Sequence, residues 1–410
     1  MRYVVLGSSA AGVNGVRELR KLDKACEIIL ISKDEDIYSR CILHKYLCGE
    51  RDKKGISFVE ENFAELYNVN WIKGKACTGL KADEKVVILE DGETISYDKL
   101  LIATGSHSFI PPIKGLKEAK NAIGFRNIDD IEVLKEVGKT GKHIIVMGSG
   151  LVGIDCATGF LEMGVKVTLV DMAGWLLNKQ LDKRAAQTYI DAFYERGIDQ
   201  YYGVGVSEVI LNDDQMIIEV ILTDGTHLPC DYMVLTAGVR ANIEFLEGSG
   251  IEVSRFGLVY DETGKTSDDN VYGAGDVSGT SPIWPVAVKE GIVAASNMAG
   301  IPRKMTDFFA SKSTMSFLGI HSMSLGDVHP EDDSYTVEIK ETKDFYKKIV
   351  HKGGKITGAL LQGDLAYGGV LQQLIARQID ITKVKKPIFD IDYSDFFHMK
   401  DNFEFFYEEN

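Results

Sequence analysis

Tyr3-Val4-Val5-Leu6 is an unbroken apolar run that stops at a glycine, and similar runs recur at Glu27-Ile28-Ile29-Leu30-Ile31, Lys99-Leu100-Leu101-Ile102, His143-Ile144-Ile145-Val146-Met147 and Tyr232-Met233-Val234-Leu235. Short runs without polar alternation predict strands covered on both faces, the habit of parallel sheets. Between the first two runs, Gly12 to Leu22 changes to a helical spacing, so the segment reads as one strand–helix–strand unit. The same order returns at 143–147, at a helix from Leu151 through Met163, and at Lys166-Val167-Thr168-Leu169-Val170. What repeats is a whole domain rather than a short solenoid unit.

Each half carries a hairpin before its last strand. In the first, Val86 to Glu90, the turn Asp91-Gly92 and Glu93 to Tyr97 lead to the 99–102 run, which ends in Ala103-Thr104-Gly105. In the second, Met216 to Thr223 and the turn Asp224-Gly225 precede Tyr232 to Leu235, which ends in Thr236-Ala237-Gly238. Pro111, Pro112 and Gly115 mark a crossing between domains. From about Met305 the pattern changes to strand-like runs (Tyr335 to Ile339, Phe345 to Val350, Ile356 to Leu361) and then to an acidic, aromatic tail. The predicted fold class is α/β: two Rossmann-like domains with parallel sheets and inserted hairpins, plus a C-terminal α+β domain.

Composition narrows this picture. A chain of 410 residues exceeds one ordinary core, and 45% hydrophobic with 26% charged residues belongs to a water-soluble globular protein. No apolar run is long enough for a bilayer, and the first strand begins too early to leave space for a cleaved targeting segment, so a cytoplasmic location without membrane attachment is expected. A net charge of −15 argues against nucleic acid as a partner; Lys383, Lys385 and Lys386 form only a small basic group. Six cysteines with no C-x-x-C spacing and eight scattered histidines predict reduced thiols and no metal site.

The chemistry gathers at two glycine turns, Gly7-Ser8-Ser9-Ala10-Ala11-Gly12 and Gly148-Ser149-Gly150-Leu151-Val152-Gly153. A strand ending in such a turn aims backbone N–H groups at a pyrophosphate, and the following helix adds its positive end. Two of them predict two dinucleotides, with electrons passing from a nicotinamide to a flavin. Asp171, about 20 residues after the second turn, predicts a ribose with a free 2′-hydroxyl and so NADH rather than NADPH. At the corresponding place in the first half stands Ser32, followed by Lys33 and Asp34.

Two further stretches complete the pattern: Thr266-Ser267-Asp268-Asp269-Asn270-Val271-Tyr272-Gly273-Ala274-Gly275-Asp276-Val277, followed by Trp284-Pro285-Val286-Ala287-Val288 and Gly291, and Tyr38-Ser39-Arg40-Cys41-Ile42-Leu43-His44-Lys45-Tyr46-Leu47-Cys48-Gly49. With the glycine turns they resemble the pyridine nucleotide–disulfide oxidoreductase superfamily. The likeness is to NADH:rubredoxin reductases and the flavin-binding part of assimilatory nitrite reductases, from Gly7 to about Leu374. The resemblance implies FAD at the first turn and NAD at the second. It divides the chain into an FAD-binding domain (1–110), an NAD-binding domain (111–240), a return segment of the FAD domain (241–304), a C-terminal domain (305–386) and a tail (387–410). It implies that Asp276, flanked by Gly275 and Val277, accepts a hydrogen bond from the ribityl chain. Arg126 is implied to reach the flavin from the crossing, and Ala103, Thr104, Gly105 and Gly238 to border the cofactors. Asp155 stands where the family has a glutamate near the nicotinamide; the alternative is an ordinary first-turn acid favoured by the helix dipole.

Disulfide reductases carry C-x4-C in the segment where this chain has Cys41 and Cys48. Here the resemblance implies Arg40 near the flavin's phosphates or ring, and Lys45 near its reactive edge as a cation for the reduced anionic form. The column of Cys41 also matches the single redox cysteine of NADH oxidases and coenzyme A-disulfide reductases. At a helix N-terminus such a thiol would have a lowered pKa; the other reading is a small buried packing residue. Three functions are therefore carried forward: an NADH-dependent FAD oxidoreductase feeding a small redox protein such as rubredoxin or an iron–sulfur subunit, an NADH oxidase or thiol reductase using Cys41, and the flavin subunit of a larger complex. A homodimer is left open. The tail aromatics (Phe389, Tyr393, Phe396, Phe397, Phe403, Phe405, Phe406, Tyr407) are expected to dock on the C-terminal domain or a second subunit.

Overall fold

The structure is a computed structural model that describes residues 1–280, 283–306 and 312–407. The chain divides into two compact units, one of residues 1–148, 152–169 and 206–306, the other of 149–151, 170–205 and the described part of 307–410.

In the first unit, a five-stranded parallel sheet has the order Val271–Gly273, Lys99–Ile102, Arg2–Leu6, Glu27–Ser32, Asn70–Lys73. Its central strands are apolar on both sides because both faces are covered. Tyr3, Val5, Ile28, Leu30 and Leu101 face a core with Val13, Val16 and Leu19 of helix Ala10–Leu22 and Ala294, Ala295 and Met298 of helix Trp284–Met298. Val4, Leu6, Ile29, Ile31, Leu100 and Ile102 face Leu80, Val87 and Leu89 of a small antiparallel sheet, Cys77–Lys81, Val86–Leu89 and Thr94–Ser96. The two helices approach backbone to backbone: a Cβ on Gly291 would stand 2.2 Å from the Ala11 carbonyl oxygen.

The same unit holds the core of the second repeat. Ala122–Gly124, Tyr232–Leu235 and Ile144–Met147 pair in parallel, and Val206–Leu211, Ile217–Leu222 and His227–Pro229 form an antiparallel sheet. The two crossings between repeats are stitched together. Ser106–Ser108, just after Gly105, pairs antiparallel with Val239–Ala241, just after Gly238. Thr104 Oγ1 donates to the Asn242 carbonyl at 2.9 Å, and Asn242 Nδ2 donates to the Thr104 carbonyl at 2.8 Å.

The second unit is built on a five-stranded antiparallel sheet in the order Lys312–Phe317, Ile320–Gly326, Lys355–Gln362, Tyr346–Lys352, Thr336–Glu341. Helix Gly368–Ala376 covers one face through Val370, Leu371, Leu374 and Ile375. Helix Lys183–Glu195 joins the sheet by polar contacts: Tyr189 donates to the Ile320 carbonyl at 3.0 Å, and Asp182, its N-cap, takes the buried Lys348 ammonium at 3.1 Å. The first two strands of this sheet were not among the expected elements, since KSTMSF and IHSMSLG carry serine and threonine where the inner face is expected to be aliphatic. In the tail, Phe389 and Phe396 pack against this domain's core, as expected, whereas Phe403 is exposed. The side chains of Phe397, Phe405, Phe406 and Tyr407 lie outside the described residues, as do residues 408–410. Among the described residues no helix is long and apolar enough to cross a membrane.

Candidate cofactor and redox site

The first glycine turn is closed by its neighbours. Gly7 has φ +103°, and a Cβ there would lie 2.1 Å from the Ala103 carbonyl oxygen; one on Gly12 would lie 1.8 Å from that of Gly7. Only glycine permits this approach of helix to strand. Ser9 is the N-cap of helix Ala10–Leu22 and its side chain makes no capping hydrogen bond. The first-turn N–H groups therefore suit an anion. Ser32, at the expected ribose position, is buried and internally engaged, donating to the Asp34 carbonyl at 2.6 Å and accepting from Trp71 Nε1 at 2.9 Å. Asp34 holds Arg40 at 2.6 Å and Tyr38 at 3.0 Å, and Lys33 stands exposed.

Asp276 and Arg126, far apart in sequence, meet. Arg126 Nη2 is 2.5 Å from Asp276 Oδ2 and 2.7 Å from Ser106 Oγ, while its Nε donates to the Ser106 carbonyl at 3.2 Å. Both side chains are mostly shielded, which strengthens the pair. Gly275, at φ +83°, donates its N–H to Glu290 at 2.7 Å, and Tyr260 donates to the same carboxylate at 3.1 Å. Burial raises the Glu290 carboxyl above its ordinary range.

The second turn repeats the first. Gly148 has φ +112°, a Cβ on Gly153 would lie 1.9 Å from the Gly148 carbonyl oxygen, and Gly150 faces open space. Thr236 clasps this turn, donating to the carbonyls of Met147 and Gly148, both at 2.9 Å, and Gly238 follows at φ +110°. Asp171 Oδ2 accepts from the Ser149 backbone N–H at 2.6 Å and its hydroxyl at 2.7 Å, and Oδ1 accepts from the Ala173 N–H at 2.8 Å. This fixes the carboxylate at the end of Val167–Asp171. Both turns thus provide glycine-only cradles with backbone N–H groups at helix starts, the donor set a dinucleotide pyrophosphate requires.

In the sequence between the two turns stands the segment from Tyr38. Cys41 sits in a 3₁₀ turn, Arg40–Ile42, ahead of a helix of only five residues, Leu43–Leu47. Its residue surface is exposed while the thiol itself is partly enclosed. Partial enclosure of the thiol and the nearby Asp155 and Asp276 carboxyls push its pKa up, against a smaller opposing effect of Ser39 and Arg126; so short a helix gives little dipole to lower it. Lys45 is paired with Glu50 at 2.6 Å. Cys48, Glu50 and Glu162 bring ligand-type atoms within 4.8 Å of one another, but Lys45 already takes the Glu50 carboxylate.

Asp155, in helix Leu151–Glu162, is half-buried. Burial pushes its carboxyl up to about 8. Its Oδ1 lies 3.1 Å from His44 Nδ1. The helices carrying them touch at Gly159, where a Cβ would come within 3.0 Å of Leu47 and 3.2 Å of the His44 carbonyl oxygen. His44, Glu290 and Ser106 were missed by sequence reasoning. Glu290, a lone acid on an apolar helix face that includes Val286, Ala287, Val293 and Ala294, offered a signal.

Residues 1–291 match the pyridine nucleotide-disulphide oxidoreductase family. The chain belongs to that family. Residues 313–379 match the rubredoxin NAD+ reductase C-terminal domain. FAD and a nicotinamide dinucleotide are the family's cofactors, in keeping with the two cradles. The chain is 28% identical over 400 residues to the assimilatory nitrate reductase electron transfer subunit of Bacillus subtilis (strain 168), covering 95% of this chain and 51% of that protein. It is 30% identical over 398 residues to the NADH-dependent phenylglyoxylate dehydrogenase subunit epsilon of Aromatoleum evansii, covering 94% and 93%. Among solved structures, the NAD-dependent persulfide reductase from A. fulgidus superposes with a TM-score of 0.85 at 22% identity, covering 94% of this chain and 78% of the other. The chain spans about half the length of the Bacillus subtilis relatives it matches.

Proposed function

We propose that the chain is an NADH-dependent FAD oxidoreductase that delivers electrons to a carrier such as rubredoxin or an iron–sulfur subunit. The observation that carries this reading is the pair of glycine-only cradles, one leading to Asp171 and the other lying in the same unit as Arg126 and Asp276. A bound flavin supplies the ability to take a hydride from reduced nicotinamide and to give up electrons singly. The chain's own residues bind and orient. Gly7 to Gly12 and Asp276 hold FAD, with Arg126 fixing the Asp276 carboxylate and Arg40 adding positive charge. Gly148 to Gly153 hold the nicotinamide dinucleotide, and the Asp171 carboxylate receives a ribose hydroxyl and repels a 2′-phosphate. Lys45, held by Glu50, contributes a cation on the segment that carries Cys41.

The test is anaerobic mixing of the FAD-loaded chain with NADH or NADPH, followed through flavin absorbance. NADH should bleach the flavin at least tenfold faster; equal rates would remove the role of Asp171. The place of Cys41, in the 3₁₀ turn ahead of helix Leu43–Leu47, keeps a thiol mechanism as the second reading. Cys41→Ser should retain NADH-dependent reduction of a one-electron dye, without a thiolate-to-flavin charge-transfer band in the parent chain. Loss of turnover with flavin still bound would favour the thiol route.

A further inference from the structure

His44 and Asp155 bring two titratable groups together where neither the glycine cradles nor the Arg126–Asp276 pair requires them. Nδ1 of His44 is inaccessible to water and lies 3.1 Å from Asp155 Oδ1, yet out of alignment for a hydrogen bond. A buried polar nitrogen left in this state is costly, and such groups cluster where protons are handled. The surroundings are sparse in charge. His44 faces Asp155 and Glu162 from helix Leu151–Glu162, and Lys45 and Glu50 from its own segment. Asp155 faces Cys41 across the gap and Cys156 on its own helix. None of these neighbours neutralises an Asp155 carboxylate, and Lys45 is already taken by Glu50.

We propose that His44 and Asp155 form a half-buried acid–imidazole pair that holds one proton at neutral pH and, on releasing it as pH rises, makes the site beside Cys41 negative and so strengthens the binding of the positively charged, oxidised nicotinamide. This rests on the reading of Gly148 to Gly153 as the nicotinamide dinucleotide cradle, since Asp155 lies two residues past Gly153 on the helix which that turn opens. Burial acts on both members in the direction of an uncharged pair, raising the carboxyl and lowering the imidazole. Because the two interact closely, the proton belongs to the pair. His44 is a positioning residue: it sets where Asp155 ionises, without touching the nucleotide.

The experiment uses the FAD-loaded chain with ¹³C-labelled histidine. The His44 ring signal should move in two steps between pH 5 and 9.5, and in Asp155→Asn the upper step should vanish. The dissociation constant of NAD+, read by quenching of flavin fluorescence, should fall about threefold to tenfold between pH 7 and 9, the scale of one nearby charge in a partly shielded site. It should stay flat in Asp155→Asn and shift its midpoint by at least one pH unit in His44→Gln. A single His44 step near pH 6.5, the same in Asp155→Asn, would overturn the pair. A two-step titration with no binding of NAD+ at any pH would instead sink the cradle assignment and leave the pair intact.

Discussion

Asp155 is a carboxyl that folding largely shields from water, and the consequence reaches stability as well as binding. An exposed aspartate in the unfolded chain titrates at about 3.9, while in the folded chain burial pushes this one up to about 8. Between those values the native state holds the extra proton, so raising the pH through this window costs stability, and above it the cost is fully present. Asp155→Asn has no such proton to lose. It should therefore gain stability over the parent chain as pH rises from 5 to 8.5, by on the order of 1–3 kcal/mol, far less than the raw shift because water and His44 relax around the charge. Urea unfolding at the two pH values checks this; an equal difference at both would mean that the carboxyl is ordinary. The residue scale is also where the sequence was least legible. Gly12, Gly153 and Asp171 could be read because their chemistry is fixed by short-range spacing, one glycine closing a turn or one acid ending a strand. His44 could not, because its partner comes from another helix, brought close by a glycine at position 159 that looks like any helix residue in the sequence.

At the scale of elements, the first cradle depends on two helices in backbone contact. Gly291, on Trp284–Met298, stands against the Ala11 carbonyl of Ala10–Leu22, and Gly15 on the latter has Leu101 in the space a Cβ would take, at 2.6 Å. A methyl at 291 meets backbone, which cannot rotate away. Gly291→Ala should cost about 2 kcal/mol and weaken FAD retention, because the helix it displaces is the one that starts at the glycine turn. Thermal melting and flavin release on dilution would show it; unchanged values for both would mean that the helices can slide apart freely. The parallel strands and first helices of both repeats were readable because burial on both faces leaves only apolar side chains, as in Val4 to Leu6 and Ile144 to Val146. The C-terminal edge strand Thr336–Glu341 is exposed throughout and read correctly only from its alternation. Lys312–Phe317 was missed because its partners, not its own composition, make it a strand.

At the scale of the molecule, the family likeness runs through both repeats and into the C-terminal domain, yet the chain spans only about half of its Bacillus subtilis relatives. The electron acceptor is accordingly a matter for the surface and for partners, not for the fold. The pairing of Ser108 with Val239 has a separate consequence. Those two residues flank everything from Phe109 to Gly238, so the second repeat is a guest whose entrance and exit are the two ends of one rung of a ladder. A host sequence of 1–108 joined to 239–306 through a two- or three-glycine bridge would need no rearrangement of its sheet. It should fold with FAD bound more weakly, Arg126 having left with the guest, and NADH should no longer bleach it. In that sense the protein is one strand–helix fold with a doorway, through which a second repeat of the same order enters and leaves.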